Sequence, residues 1–227
     1  MARYAAFIMN GFGAPRLSEL TECGAPEMEE PKNYLGSLVL NNLFAVQYQD
    51  PMRRLTLMFG RRSHNAVREY RAGRELLLSY LQRLPRGNDH FLVALRAATH
   101  FEHCVGSACQ AAALLERLID VANARDPSDP SDSRDRERRL KLIWNRAKHF
   151  DEDIMSSKMA AENITAPVWL TNTGISAETA TVTWSELHSV LTEQQEALKF
   201  FAEDLPHKVV EARKAAEQAK ADEEQKP

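Results

Sequence analysis

One stretch constrains the fold more than any other. Ala94, Ala98, Phe101, Val105, Ala108, Ala112, Leu115, Ile119 and Ala122 recur at alternating spacings of three and four. That period places them on one side of a single long helix. Several are small, which lets a second helix approach closely. The pattern stops at Ala124–Asp135, read ARDPSDPSDSRD, whose Pro, Ser and Asp content marks an exposed linker. A helix of this length cannot cover its own apolar stripe, so the chain must supply partner helices.

Candidates flank it. From Met52 to Leu84, the positions Ala66, Tyr70, Gly73, Leu77, Tyr80 and Leu84 keep helical spacing, with Leu76 and Leu81 widening the stripe. Pro85 and Gly87 end that helix. After the linker, Leu140, Ile143, Ala147, Phe150 and Ile154 form the stripe of another. Two short β-like runs follow, Pro167–Leu170 and Thr179–Thr183, disposed around Asn172–Gly174 as a β-hairpin. Thr183 and Glu186 then stand at capping-box spacing and open a last helix carrying Leu187, Val190, Leu191, Leu198 and Phe201. Pro206 is expected to kink or break it, and the charged, Ala-rich tail beyond it reads as a fraying helix with a disordered end. The predicted fold class is mainly α: an antiparallel helical bundle with a small β-hairpin insert before the last helix. Residues 1–50 read as a loop-rich lead-in, with a short element at Tyr4–Met9 and a short helix within Asn33–Gln49. Residues 51–206 read as the bundle and 207–227 as the tail.

Composition narrows the function classes. A hydrophobic fraction of 44% supports a real core rather than a disordered chain. Twenty-nine basic against 32 acidic residues leave a net charge of -3, which makes no global case for nucleic acid or an anionic membrane. No apolar run approaches the length of a membrane span, and the opening MARYAAFIMNGFG is too short for an export signal. Cys23, Cys104 and Cys109 lack CxxC spacing, so reduced thiols in a cytoplasmic compartment are expected. Gly11-Phe12-Gly13 lacks the context of a phosphate loop, and no cofactor motif is found. His100 and Cys104 have i,i+4 ligand spacing, yet no second pair completes a metal site. His103 falls on the outer face.

The densest polar segment is Trp144–Asp153, WNRAKHFDED. On a helical wheel Arg138, Leu142, Asn145, His149 and Glu152 form a line nearly opposite the apolar stripe, with Arg146 and Asp153 beside it. A base, a cation, an amide and carboxylates thus share one face. That combination suits general acid–base chemistry on a phosphodiester. His149 would move the proton, with Glu152 within reach to orient it. Arg146 or Arg138 would stabilise phosphoryl charge, and Asn145 would hold the substrate or the ring. A solvated face laced with salt bridges is the plainer alternative. A second basic stretch, residues 53–74, contains Arg61, Arg62 and Arg68. It reads either as a phosphate-contacting face, with Phe59 and Tyr70 interleaved for stacking, or as a face paired with the acidic last helix. Lys148 joins the basic set.

The run Leu142–Phe150, with Asn145-Arg146-Ala147-Lys148-His149 at its centre, is similar to a degenerate N-R-x-K-H form of the motif helix in HEPN domains. These are α-helical bundles of bacterial toxins, phage-defence systems and ribonucleases. The resemblance covers roughly residues 60–205. It implies a protein that acts on or binds RNA, by metal-independent cleavage with residues from paired protomers, and hence a homodimer or complex subunit. The typical motif places Arg four to six residues before His, whereas Arg146 stands three before His149. A catalytically inactive bundle, serving as a helical interaction or regulatory subunit with a protein partner, fits that departure equally.

Overall fold

The computed structural model describes residues 20–44, 48, 50–83, 91–123, 135–150, 152, 167–177 and 180–224. The elements run α1 (Tyr34–Phe44), α2 (Met52–Arg83), α3 (Phe91–Asn123), α4 (Asp135–Lys148), β1 (Trp169–Leu170), β2 (Gly174–Ala177), β3 (Ala180–Thr183), α5 (Trp184–Lys199) and α6 (Leu205–Glu224). A π-helical stretch, Phe200–Asp204, joins the last two. The chain is mainly helical, with a small antiparallel sheet before its closing helices.

The long α2 and α3 form the frame. Tyr70, Leu77 and Tyr80 of α2 and Ala97, Phe101 and Ala108 of α3 are fully or almost fully buried. The α3 stripe drifts along its length. Ala94, Phe101, Val105 and Ala108 are buried as expected, but farther along Ala111 and Leu118 turn inward and Ile119 is 45% exposed. The core has two parts. One gathers Tyr70, Phe101, Trp184 and the inner residues of the sheet. The other gathers Tyr34 and Leu38 of α1 with Phe59, Leu118, Leu198 and Phe201.

The expected β-hairpin insert is present, with one more strand than the sequence showed. Its order is β1-β2-β3, all antiparallel. Residues placed in the connection, Gly174–Ala177, are its central strand. All four are buried, so no alternation marks them as a strand. A Cβ on Gly174 would lie 2.1 Å from the Val182 carbonyl oxygen, so only glycine lets the strands approach this closely.

Pro206 does not break the helix. It has no N–H for the carbonyl of Ala202, four residues back. Asn41 of α1 donates its side-chain amide to that carbonyl instead. The preceding turn is π-helical, with the Leu205 N–H donating to the Phe200 carbonyl. The chain therefore continues as α6 to Glu224, through the charged, Ala-rich segment that reads as a fraying helix.

Part of the lead-in is fastened to the bundle. The N–H groups of Thr21 and Glu22 donate to the Asn172 side-chain oxygen at 2.9 and 3.3 Å. The Tyr70 hydroxyl donates to the Pro26 carbonyl at 2.9 Å, and Arg74 donates to the Ala25 carbonyl. Leu20 and Ala25 are buried. Tyr4–Met9 lies outside the described residues.

The capping box forms as its spacing predicts. The Glu186 N–H donates to the Thr183 hydroxyl at 3.2 Å, and the Thr183 N–H donates to the Glu186 carboxylate at 2.9 Å. Losing an N-cap hydroxyl costs about 1 kcal/mol. Thr183→Ala is therefore expected to lower the unfolding free energy by that amount, seen as a lower urea midpoint with the denaturant slope unchanged. An unshifted midpoint would show that the cap contributes nothing here.

Candidate functional site

Helix α4 lies against α3 and the sheet, with Leu140 and Ile143 buried beneath it. Two arginines tie it to α5. Arg136 donates to both oxygens of Glu193, one at 2.8 Å, and to the Ser189 hydroxyl at 3.1 Å. Arg139 donates to Glu186. Burial pushes the Glu186 carboxyl upward, but hydrogen bonds from Thr183 and the charge of Arg139 outweigh it and hold the group below its ordinary value. Two carboxylates of α5, Glu186 and Glu193, thus pair with α4.

Trp144 fixes the spacing between α3 and α4. Its ring lies so close to Gly106 that a Cβ there would meet it at 2.4 Å. Beside this contact a groove of about 530 Å³ runs between the two helices. Arg138, Lys141, Trp144 and Asn145 line it from α4, and Cys109 and Gln110 face them from α3. Burial pushes the Cys109 thiol up to about 12 against the pull of Lys141, so the thiol stays protonated and is no nucleophile at neutral pH.

The outward line of α4 divides accordingly. Arg138 and Asn145 border the groove, and both are exposed. Leu142 and Glu152 are also exposed, as the wheel placed them. Arg146, Lys148 and His149 do not line the groove. Arg146 is half-buried and engaged in an interaction of its own. His149 begins the turn after α4, and its N–H donates to the Asn145 carbonyl at 3.0 Å. Its Nδ1 lies 3.1 Å from the Glu152 carboxylate, with the imidazole 44% exposed. Among the described residues its Nε2 has no partner. Asp153 lies outside them.

The α2 arginines form a separate region. Arg68 contacts Glu69 at 3.2 Å, Arg71 faces Glu30 at 3.7 Å, and Arg53 and Arg54 face Asp50. Arg61 is exposed and Arg62 partly so, with no ion pair among the described residues. Phe59 and Tyr70, the expected stacking rings, are completely buried, so they serve the core and cannot stack on RNA. His100 bonds to Glu69 at 2.7 Å, Cys104 is buried, and His103 is exposed. Among the described residues no group of three His, Cys, Asp or Glu side chains could hold a metal ion, and no helix is long and apolar enough to cross a membrane.

Lys141, Trp144, Gln110 and Cys109 were not among the sequence candidates. The signal was the glycine opposite a tryptophan, a pairing visible only once the helix register is known. Compared with protein-family models, curated proteins and solved structures, the chain has no match.

Glu102 lies on α3, one turn before Gly106. Burial raises its carboxyl from 4.5 to about 7, and among the described residues it has no hydrogen-bond or ion-pair partner. Between those values the folded chain holds a proton that the unfolded chain has lost. Stability therefore falls as pH rises through that window. Glu102→Gln removes this penalty and is expected to add about 3 kcal/mol at pH 8 and nothing at pH 4. Parallel pH profiles for the two proteins would refute a buried carboxyl.

Proposed function

We propose that this chain is a HEPN-like helical protein of bacterial toxin or defence type that acts on RNA at the C-terminal end of α4. The carrying observation is the state of His149. One ring nitrogen is held by Glu152 and the other meets no described residue. A carboxylate beside one ring nitrogen fixes the orientation of the imidazole and the tautomer that leaves the outer nitrogen as an acceptor. The outer nitrogen is then placed to take a proton from a ribose 2′-hydroxyl as that oxygen attacks the neighbouring phosphorus and expels the 5′-oxygen of the next nucleotide, which takes a proton from water and leaves a 2′,3′-cyclic phosphate. Arg146 and Lys148 contribute positive charge near the phosphoryl oxygens, and Asn145 supplies an amide one turn away. A second copy of the chain, docked against this end, would complete the charge around the phosphate.

The alternative is a non-catalytic interaction subunit. It is favoured by α6, whose residues 211–217 are all exposed although the helix runs to Glu224. A helix with so little packing of its own suits a partner-binding role.

The test uses purified wild type, His149→Ala and Glu152→Gln with labelled single-stranded RNA and excess chelator. Wild type is expected to cleave. His149→Ala should lose about 10²–10⁴-fold in rate. Glu152→Gln should lose less, with circular dichroism unchanged for both variants. Intact RNA after incubation with the wild type would remove the catalytic reading and leave the interaction subunit in its place.

A further inference from the structure

We propose that the groove between α3 and α4 is a nucleotide-binding site, with a base against Trp144 and its phosphate on Arg138 and Lys141. The proposal rests on the RNA reading only for the source of the nucleotide. The same chemistry would accept a free mononucleotide.

The volume, about 530 Å³, lies within the range of small-molecule sites. The lining supplies the three kinds of contact that a nucleotide needs. Trp144 is partly buried, fixed from behind by Gly106, and borders the groove. A rigid aromatic ring stacks any base at little entropic cost. Gln110 and Asn145 flank it from opposite walls with amides, which can donate to and accept from a base edge. Lys141 stands about 4.5 Å along the helix axis from Trp144, and Arg138 another 4.5 Å beyond, so the cations follow the ring in the direction a sugar and phosphate would run.

Two cations border the groove. Arg138 and Lys141 are exposed, and neither has an ion pair among the described residues. Two carboxylates also border this groove, Glu137 and Glu116. Glu137 already faces Arg136 at 3.9 Å, and Glu116 is engaged in an interaction of its own. Both carboxylates are thus already engaged, which lessens their repulsion of a phosphate at the cations. The protonated Cys109 adds no competing charge.

The experiment compares wild type, Trp144→Phe and the double variant Arg138→Ala/Lys141→Ala. Each is titrated with a 5′-mononucleotide and, separately, with a short single-stranded RNA across a range of salt. Trp144→Phe keeps a ring against Gly106, and the two cations are exposed, so both variants should retain the wild-type circular dichroism. The mononucleotide is expected to quench wild-type tryptophan fluorescence, and the Phe variant should lose that signal. The double variant should bind RNA with a salt slope reduced by about 1.4, the value for two phosphate contacts to a single strand. Mononucleotide binding without RNA binding identifies a free nucleotide as the ligand. Affinity and slope unchanged in the double variant overturn the proposal. His149-dependent RNA cleavage that persists alongside that unchanged binding leaves the RNA reading intact. Nucleotide binding that depends on Trp144 and the two cations, without any RNA cleavage, upholds the groove and removes the ribonuclease.

Discussion

The structure turns on the corner where β3 becomes α5. Trp184 is buried there at the meeting point of the sheet and both long helices. Its ring lies 4.7 Å from that of Phe101, which in turn meets Tyr70 edge-on at 5.8 Å. Its indole N–H reaches the carbonyls of Thr171 and Asn172, and its backbone N–H donates to the Thr173 carbonyl. One residue thus stitches the turn, the last helix and the central core together. Aromatic contacts of this kind add roughly 0.5–1.5 kcal/mol each beyond area burial. Two residues on, Glu186 closes the capping box and accepts from Arg139, so the same corner also holds α4.

The position of the candidate site follows. Helix α4 reaches α5 mainly through long arginine side chains, while its apolar side rests on α3 and the sheet. Close packing at Gly106 and Trp144 leaves the rest of the α3–α4 interface slightly open. The polar groups of α4 therefore fall into two neighbouring zones. Arg138, Lys141 and Asn145 border a groove, and His149 with Glu152 occupies the exposed end of the helix.

Helices with long, regular apolar stripes were legible in the sequence. The period of α2 marks Ala66, Tyr70, Gly73, Leu77 and Tyr80, all buried, but not Phe59, Gly60 and Ser63 of its first half. The period of α3 is less faithful, because its two halves meet different partners. The central strand was hidden by complete burial, which erases alternation. The burial of Phe59 was hidden for another reason. Helical neighbours in sequence point to different sides, so a ring between arginines need not share their surface. The outward line of α4 was readable, but the groove was not. It depends on the register of α4 against α3, which no local pattern encodes.

The π-helical stretch has a geometric effect beyond accommodating Pro206. It puts one extra residue into the turn, and each residue of an α-helix advances by about 100°. Phe201 and Ala202, adjacent in sequence, are therefore both buried, as is Pro206. The stretch acts as a phase shifter within a nearly continuous rod. The side of the chain that faces the core along α5 is rotated away from it along α6. Asn41, by holding the Ala202 carbonyl, makes α1 the clamp that keeps this rotation in register.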